Sequence, residues 1–296
     1  MGEGDPERSD ELGYSGLATA LVTEGYALQS RVAGALREVP EGTDAVLAIA
    51  PRRRLLPGAL DALRRYLDAG GHLVALLEPD SRSGLEELLA EFGIRCPEAL
   101  VVDPASGPVE ERGVEGLGII AYNYERHPVT QGLDRNRMTY FPGACPLLLR
   151  RPRVEDDVRR LVLSSPRAWV TEDLSWLARN RGHPEPARAP RDYQTLVAAG
   201  RYPRAGGEAR IVVFGDADFA SNRYLRALYN LDLVLNAVHW ATEHEPEITR
   251  RPKIRETVQL PLPVANSVRA LYGVGLLLPE LLLIAGGIVW LRRRSA

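Results

Sequence analysis

The sequence predicts an α/β fold on a mostly parallel, doubly wound sheet, with one membrane-crossing helix near the C-terminal end. Three observations predict it. Short unbroken apolar runs recur, AVLAIA at residues 45–50, HLVALL at 72–77 and ARIVVF at 209–214, and such runs belong to strands buried on both faces. Segments with apolar residues at helical spacing follow the strands over short links, the pattern of parallel strands joined by right-handed crossovers. From Ala270 to Leu291 the chain reads ALYGVGLLLPELLLIAGGIVWL, with Glu280 its one ionisable side chain.

Element by element, the chain starts with MGEGDPERSDELGYSG, a stretch of turn formers with no apolar run. It is expected to carry no signal peptide or N-terminal anchor, and to lead into a helix over Tyr14–Glu24 that stops at Gly25. Open α/β sheets usually place such a loop after a strand. None precedes it, so the first strand is expected to be missing. The strand at Ala45–Ala50 is followed by a helix over Leu55–Asp68, opened by Pro57 and closed by Gly70 and Gly71. After the strand at His72–Leu77 comes a helix over Ser83–Phe92 with Gly93 as its stop, then a strand beginning at Leu100–Val102.

The middle predicts short strands at Gly118–Ala121, Met138–Tyr140 and Leu161–Leu163. A polar run from Arg179 to Pro190 holds three prolines and reads as an exposed loop. A buried strand ending in an acidic turn spans Ala209–Phe219, and a helix runs over Asn230–Thr242. The organisation is therefore a soluble domain over 1–243, a polar, proline-bearing stalk over 244–268, a membrane helix over 269–292 and a basic tail over 293–296.

The membrane segment rests on length and chemistry. About 22 helical residues rise roughly 33 Å, enough for a hydrocarbon core of about 30 Å. Arg292, Arg293 and Arg294 follow at once, and Tyr272 and Trp290 stand near the two ends, where amphipathic rings prefer the interface. Pro279 and Glu280 work against insertion. An ionisable group at that depth is a functional or packing site by default, and Gly273, Gly275, Gly286 and Gly287 permit close helix approach. Glu280, Gly273 and Gly286 are therefore expected to contact a partner's membrane helices.

Composition excludes several classes. A net charge of −2 leaves no electrostatic footprint for nucleic acid. The basic residues are almost all arginine, with Lys253 the exception. Cys96 and Cys145, the two cysteines, are too far apart for a metal or redox motif. A disulfide is open to them, but two buried free thiols are the favoured reading. His72, His127, His183, His239 and His244 have no metal-ligand spacing, so neither a metal nor a cofactor is expected. His127 reads as a turn residue. No Walker A sequence and no G-x-S-x-G occurs. Gly2–Asp5 is too short and acidic to cradle phosphate. Arg52, Arg53 and Arg54 form a charge run that reads as a solvated face.

The strongest local constellation is Asp216 and Asp218 with Ser221 and Asn222 just beyond. Carboxylates at the carboxyl end of a parallel strand stand where open α/β sheets place ligands, and two of them in tandem can bind a hard cation. The competing reading is that they cap the following turn through its backbone amides. Glu78 and Asp80 form a second acidic turn after a strand, with Ser81 and Ser83 close by and no assignable histidine partner.

Several pieces together carry a resemblance: GYSGLATAL, LPGALDALRRYLDAGGHLVALLEPD, GLEELLAEFGI with VVDP, HPVTQGL, YFPGACPL, RIVVFGDADFASNRYL, NLDLVLNAVHWAT and the terminal VWLRRR. In this order the chain resembles the auxiliary component of ABC-type transport systems related to the gliding-motility auxiliary protein. The resemblance implies an extracytoplasmic domain of class I glutamine-amidotransferase-like, flavodoxin-like topology beside an ABC transporter. An amidotransferase-like enzyme would need a nucleophilic cysteine at a strand-to-helix elbow. Neither Cys96 nor Cys145 stands at one, so a thiol amidase is not expected. Members usually also have an N-terminal membrane helix and a first strand, both of which are expected to be missing here.

Charge alone divides on topology. The terminal arginines favour a cytoplasmic C-terminus, yet Arg250, Arg251, Lys253, Arg255 and Arg269 flank the other side. The resemblance favours an outward-facing domain on a single-pass inner-membrane protein. The implied function is a non-enzymatic, membrane-anchored accessory subunit. Its partners would be a permease and ATP-binding subunits, and its role a structural contact or the binding of a sugar-like or peptide-like ligand. The alternatives are a membrane-tethered hydrolase using the acidic turns and a cytosolic tail-anchored scaffold.

Overall fold

Each apolar run becomes a strand, but which strands lie side by side follows from the lengths of the links between them. In the computed structural model, residues 5–31, 36–51, 53–80, 82–106, 110–111, 114–172 and 190–243 are described, with positions 283, 284, 288, 290 and 292–294 near the end. The chain divides into two compact units, Met1–Val258 and Gln259–Ala296.

The helices of the first unit are α1 (Ser15–Thr23), α2 (Pro57–Asp68), α3 (Leu85–Glu91) and α4 (Asn230–Ala241). Its strands are β1 (Val46–Ile49), β2 (Leu73–Leu76), β3 (Ile94–Arg95), β4 (Leu100–Val102), β5 (Glu110–Glu111), β6 (Val114–Glu115), β7 (Ile119–Ala121), β8 (Asn123–Tyr124), β9 (Thr139–Phe141), β10 (Leu148–Leu149), β11 (Asp157–Leu163), β12 (Trp169–Thr171), β13 (Thr195–Arg204) and β14 (Gly207–Phe214).

The central sheet has six strands in the order β1-β2-β14-β13-β11-β8. Only β1, β2 and β14 run parallel, while β13, β11 and β8 continue the sheet antiparallel. This corrects the expected doubly wound, flavodoxin-like sheet: the fold is mixed α/β with a largely antiparallel sheet. The reason is a connection length. Only Ala205 and Gly206 separate β13 from β14, and Arg204 pairs with Gly207. A link that short closes a hairpin and cannot make a parallel crossover. Leu100–Val102 does form a strand, but it pairs antiparallel with β12 outside the central sheet.

Alternation along the central strands explains why the runs are apolar throughout. Val74, Leu76, Val212 and Phe214 pack with α1 and α4 on one face. Leu73, Ala75, Ile211 and Val213 pack with α2 and α3 on the other. A strand covered on both faces has no polar side to show. In α2 the buried Ala59, Ala62, Leu63 and Leu67 recur at helical spacing, and Pro57 opens the helix where a missing N–H costs nothing. Gly70 ends it at φ +94, where a Cβ would also lie 2.9 Å from the α-carbon of Gly207. Helix α3 starts from a reciprocal cap: Leu85 N–H donates to Ser83 Oγ and Gly84 N–H to Glu86 Oε2. Ser83 is thereby committed to structure.

The cysteines also need correction. Cys96 and Cys145 are bonded to each other, across a sequence separation of 49. Antiparallel pairing of Arg95 with Leu148 brings the two segments together, a contact that sequence distance does not reveal.

Among the described residues, no helix is long and apolar enough to cross a membrane. Most of the span expected at 269–292, including Gly273, Glu280 and Gly286, lies outside the described residues, as do the stalk, His183, His244, Arg52 and Ser81. Within that span Leu283, Ile284, Ile288 and Trp290 are helical and exposed.

Candidate functional site

Strands β2 and β14 are neighbours and parallel, so the residues that follow them emerge at the same edge of the sheet. Glu78 stands just after β2 and Asp216 just after β14. Both are 1% exposed, an unusual depth for carboxylates, which are rarely so buried without dedicated partners.

Those partners are backbone amides. Glu78 Oε1 accepts from the N–H groups of Ala217 at 3.2 Å and Asp218 at 3.1 Å. Asp216 Oδ2 accepts from Gly143 N–H at 2.8 Å and its Oδ1 from Phe219 N–H at 3.3 Å. Each carboxylate therefore stitches one strand end to another segment. Burial, then the neighbouring carboxylates of Glu78 and Asp218, hold the Asp216 carboxyl well above the usual range, against the pull of its two amide bonds. Asp216 thus tends to retain a proton.

The segment that reaches Asp216 is Pro142–Leu147, which lies across the sheet edge. Cys145 N–H donates to Gly215 O at 2.7 Å and Leu147 N–H to Thr195 O at 2.8 Å. A Cβ on Gly215 would collide with the Cys145 carbonyl oxygen, so that approach requires glycine. The disulfide to Cys96 fixes the same loop from its other side.

The remaining residues singled out from the sequence divide. Asp218 is half-buried beside Glu78. Ser221 is 1% exposed and its hydroxyl has no hydrogen-bond partner among the described residues. Asn222 is a clasp: its Oδ1 accepts from Gly16 N–H at 2.8 Å, and its Nδ2 donates to Arg8 O, Asp10 O and Ser15 Oγ. That ties the N-terminal loop to the same edge. Asp80 is exposed and stands apart. Among the described residues no three or more His, Cys, Asp or Glu side chains are grouped to hold a metal ion. The tandem Asp216 and Asp218 do not form such a pair, because Asp216 turns inward to the amides.

Sequence reading missed Asn230 in this neighbourhood. Its buried side chain accepts from Tyr140 N–H and donates to the carbonyls of Tyr140, Phe219 and Tyr224, locking α4 to β9 and to the turn after β14. Its position at a helix start was the available signal. His72 and His239 are structural. His72 Nδ1 accepts from Arg210 N–H at 3.2 Å, and His239 stacks on Tyr26 and faces Glu24 at 3.4 Å.

The chain matches the family described as an ABC-type uncharacterized transport system across residues 3–237. It belongs to this family. The family's name is that of an auxiliary component of ABC-type transport, in agreement with the resemblance read from the sequence motifs. No curated protein matches the chain. Among solved structures, the mmIFT52 N-terminal domain is similar with a TM-score of 0.51 at 17% identity, over 68% of this chain and 78% of that one. At that identity the likeness is one of fold alone. Cytoplasmic protein STM3548 from Salmonella typhimurium (TM-score 0.36, 14% identity, 63% of this chain and 61% of that one) and a β-galactosidase from Rahnella sp. R3 (0.31, 14%, 64% and 23%) are more distant.

Proposed function

We propose that this ABC-transport auxiliary protein is a non-enzymatic, membrane-anchored subunit that holds its α/β body outside the cytoplasm against a permease and its ATP-binding subunits. The observation that carries the non-enzymatic part is the commitment of Glu78 and Asp216. Both lie at the edge where α/β enzymes keep reactive groups, yet Glu78 Oε1 and both Asp216 oxygens accept from backbone amides, and both side chains are shut away from solvent. A general acid or base has to reach the substrate proton directly or through one water. The disulfide supports the outward placement, because such bonds persist in oxidising compartments. The apolar stretch Ala270–Leu291 supports the anchor. Any sugar-like or peptide-like ligand would meet the half-buried Asp218 at the surface of this edge.

Co-expression with the permease and ATP-binding subunits of an ABC transporter from the same genome tests the assignment. They should co-elute in detergent, and separate elution would overturn it. Labelling of Asp80→Cys by a membrane-impermeant thiol reagent in intact cells tests orientation, with reaction expected and protection counting against an outward domain. A second reading, a hydrolase, takes support from the raised Asp216 carboxyl and the buried Ser221 hydroxyl. It requires turnover that Asp216→Asn abolishes.

A further inference from the structure

The edge with Glu78 and Asp216 lies beyond the C-terminal ends of the parallel strands. The other end of the sheet has a different chemistry. There the start of β14 pairs with the end of β13, and Arg201 stands opposite Asp157 of β11. A cleft of about 190 Å³ opens between these strands, the Pro128–Thr130 turn and the last turn of α4. Arg126, Arg159 and Arg201 line it against a single carboxylate, Asp157, with His127 and Trp240 forming a wall.

The cations in this cleft are only loosely engaged. Arg126 is exposed and makes no ion pair among the described residues. Arg159 contacts Asp157 at 2.8 Å and Arg201 contacts Glu208 at 3.3 Å, each pair largely in water. Exposed pairs of this kind are weak enough to be exchanged for another anion. Arg210, just outside, is spoken for: its guanidinium contacts Glu208 and Glu243, donates to Trp240 O and lies over the Trp240 ring.

The wall is an aromatic surface with a donor. His127 packs edge-on to Trp240 with ring centroids 4.8 Å apart. Its Nδ1 accepts from Val129 N–H at 3.2 Å, so the neutral ring carries its proton on Nε2. Burial first, then Arg159 and Arg201, with Asp157 opposing and Arg210 adding, push the imidazole down to about 4. A further positive charge is disfavoured where cations already crowd; a negative group is welcome.

We propose that this cleft is a binding site for a small molecule bearing a carboxylate or phosphate group. Arg126, Arg159 and Arg201 hold the anion, and the His127–Trp240 wall covers the adjoining part of the ligand. Planar guanidinium forks match either anion through paired hydrogen bonds. The volume is below that of a pocket for a whole drug-sized ligand, so it fits a head group rather than an extended molecule. The site is separate from Glu78 and Asp216 and does not depend on the transporter assignment.

The experiment follows the His127 ring resonances of the full-length chain during titration with inorganic phosphate and, separately, acetate, against chloride at equal ionic strength. Saturable shifts with phosphate alone identify a phosphate site, and with acetate alone or both, a carboxylate-accepting one. Arg201→Gln and Arg159→Gln should each weaken the effective anion roughly tenfold, the loss expected for one charge-assisted contact. Arg95→Gln, an exposed arginine elsewhere, should leave it unchanged. Bound anion should also raise the His127 pKa. The proposal is overturned by shifts that do not saturate, by chloride matching both probes, or by Arg95→Gln weakening binding as much as the cleft variants.

Discussion

The two ends of the central sheet each gather like charges, and each treats them differently. At the C-terminal ends of β2 and β14, Glu78 and Asp216 are buried, and Glu78 Oε1 and both Asp216 oxygens accept from amides of the neighbouring turn and loop. At the other end, Arg126, Arg159 and Arg201 stay wet, with replaceable partners or none among the described residues. The lesson is that concentration of charge does not itself make a site. A buried charge must be satisfied from within the protein and becomes part of the scaffold. An exposed one, weakly paired at a concave surface, keeps its capacity for a ligand.

The largest test of this contrast strikes the loop that serves the carboxylate edge. Cys96→Ser with Cys145→Ser should lower unfolding free energy by about 4 kcal/mol, from the loop-closure entropy of a bridge spanning 49 positions. Urea denaturation of the oxidised protein and the double variant measures it. Next comes Asp216→Ala, which strands the Gly143 and Phe219 amides and should cost about 3 kcal/mol. Combined with the cysteine variant, the losses should fall short of additivity, because both act through Pro142–Leu147. Additive losses would mean that the loop and the carboxylate are independent.

Asn222→Ala should cost about 2 kcal/mol and expose the N-terminal loop to limited proteolysis, since four bonds to that loop and the start of α1 disappear. A pH series sharpens the comparison further. The Asp216 carboxyl is raised in the folded state, so between its unfolded and folded values the native protein binds more protons. Its contribution is therefore largest below about pH 4 and declines as pH rises through the folded value. Wild-type stability should fall more steeply with rising pH than that of Asp216→Asn; equal slopes would refute a buried, proton-retaining carboxyl. The smallest effect belongs to the cleft. Arg126→Gln should change stability by less than about 0.5 kcal/mol, and a larger loss would move that arginine to the structural side of the comparison.

Much of the architecture was legible locally. Helices at Ser15–Thr23, Pro57–Asp68, Leu85–Glu91 and Asn230–Ala241 stand where periodicity and glycine stops placed them. The strands at Val46–Ile49 and Leu73–Leu76 were apparent from their apolar runs. TLVAAGRYPR was not, because its second half mixes small, charged and proline residues. Pro203 is tolerated there because it lies next to the hairpin turn. Missing that one strand led to a parallel sheet on paper and concealed the antiparallel half, including the walls of the arginine cleft. At the acidic edge, chain position pointed to Glu78, Asp216 and Asp218. It could not distinguish the carboxylates that turn inward from Asp80, which remains in solvent, or show that Asn222 is a clasp.

By itself the sequence determined the four helices and the strands written as apolar runs, where acidic turns follow strands, and the family to which the chain belongs. Each is encoded in neighbours a few positions apart or in motifs along the chain. Tertiary structure alone decided strand order and direction, the union of Cys96 with Cys145, and which charges are buried. Several of those outcomes depend on contacts between residues 49 to more than 200 positions apart, and throughout, hairpin length, two-sided burial and amide satisfaction select one arrangement among many that the local pattern allows.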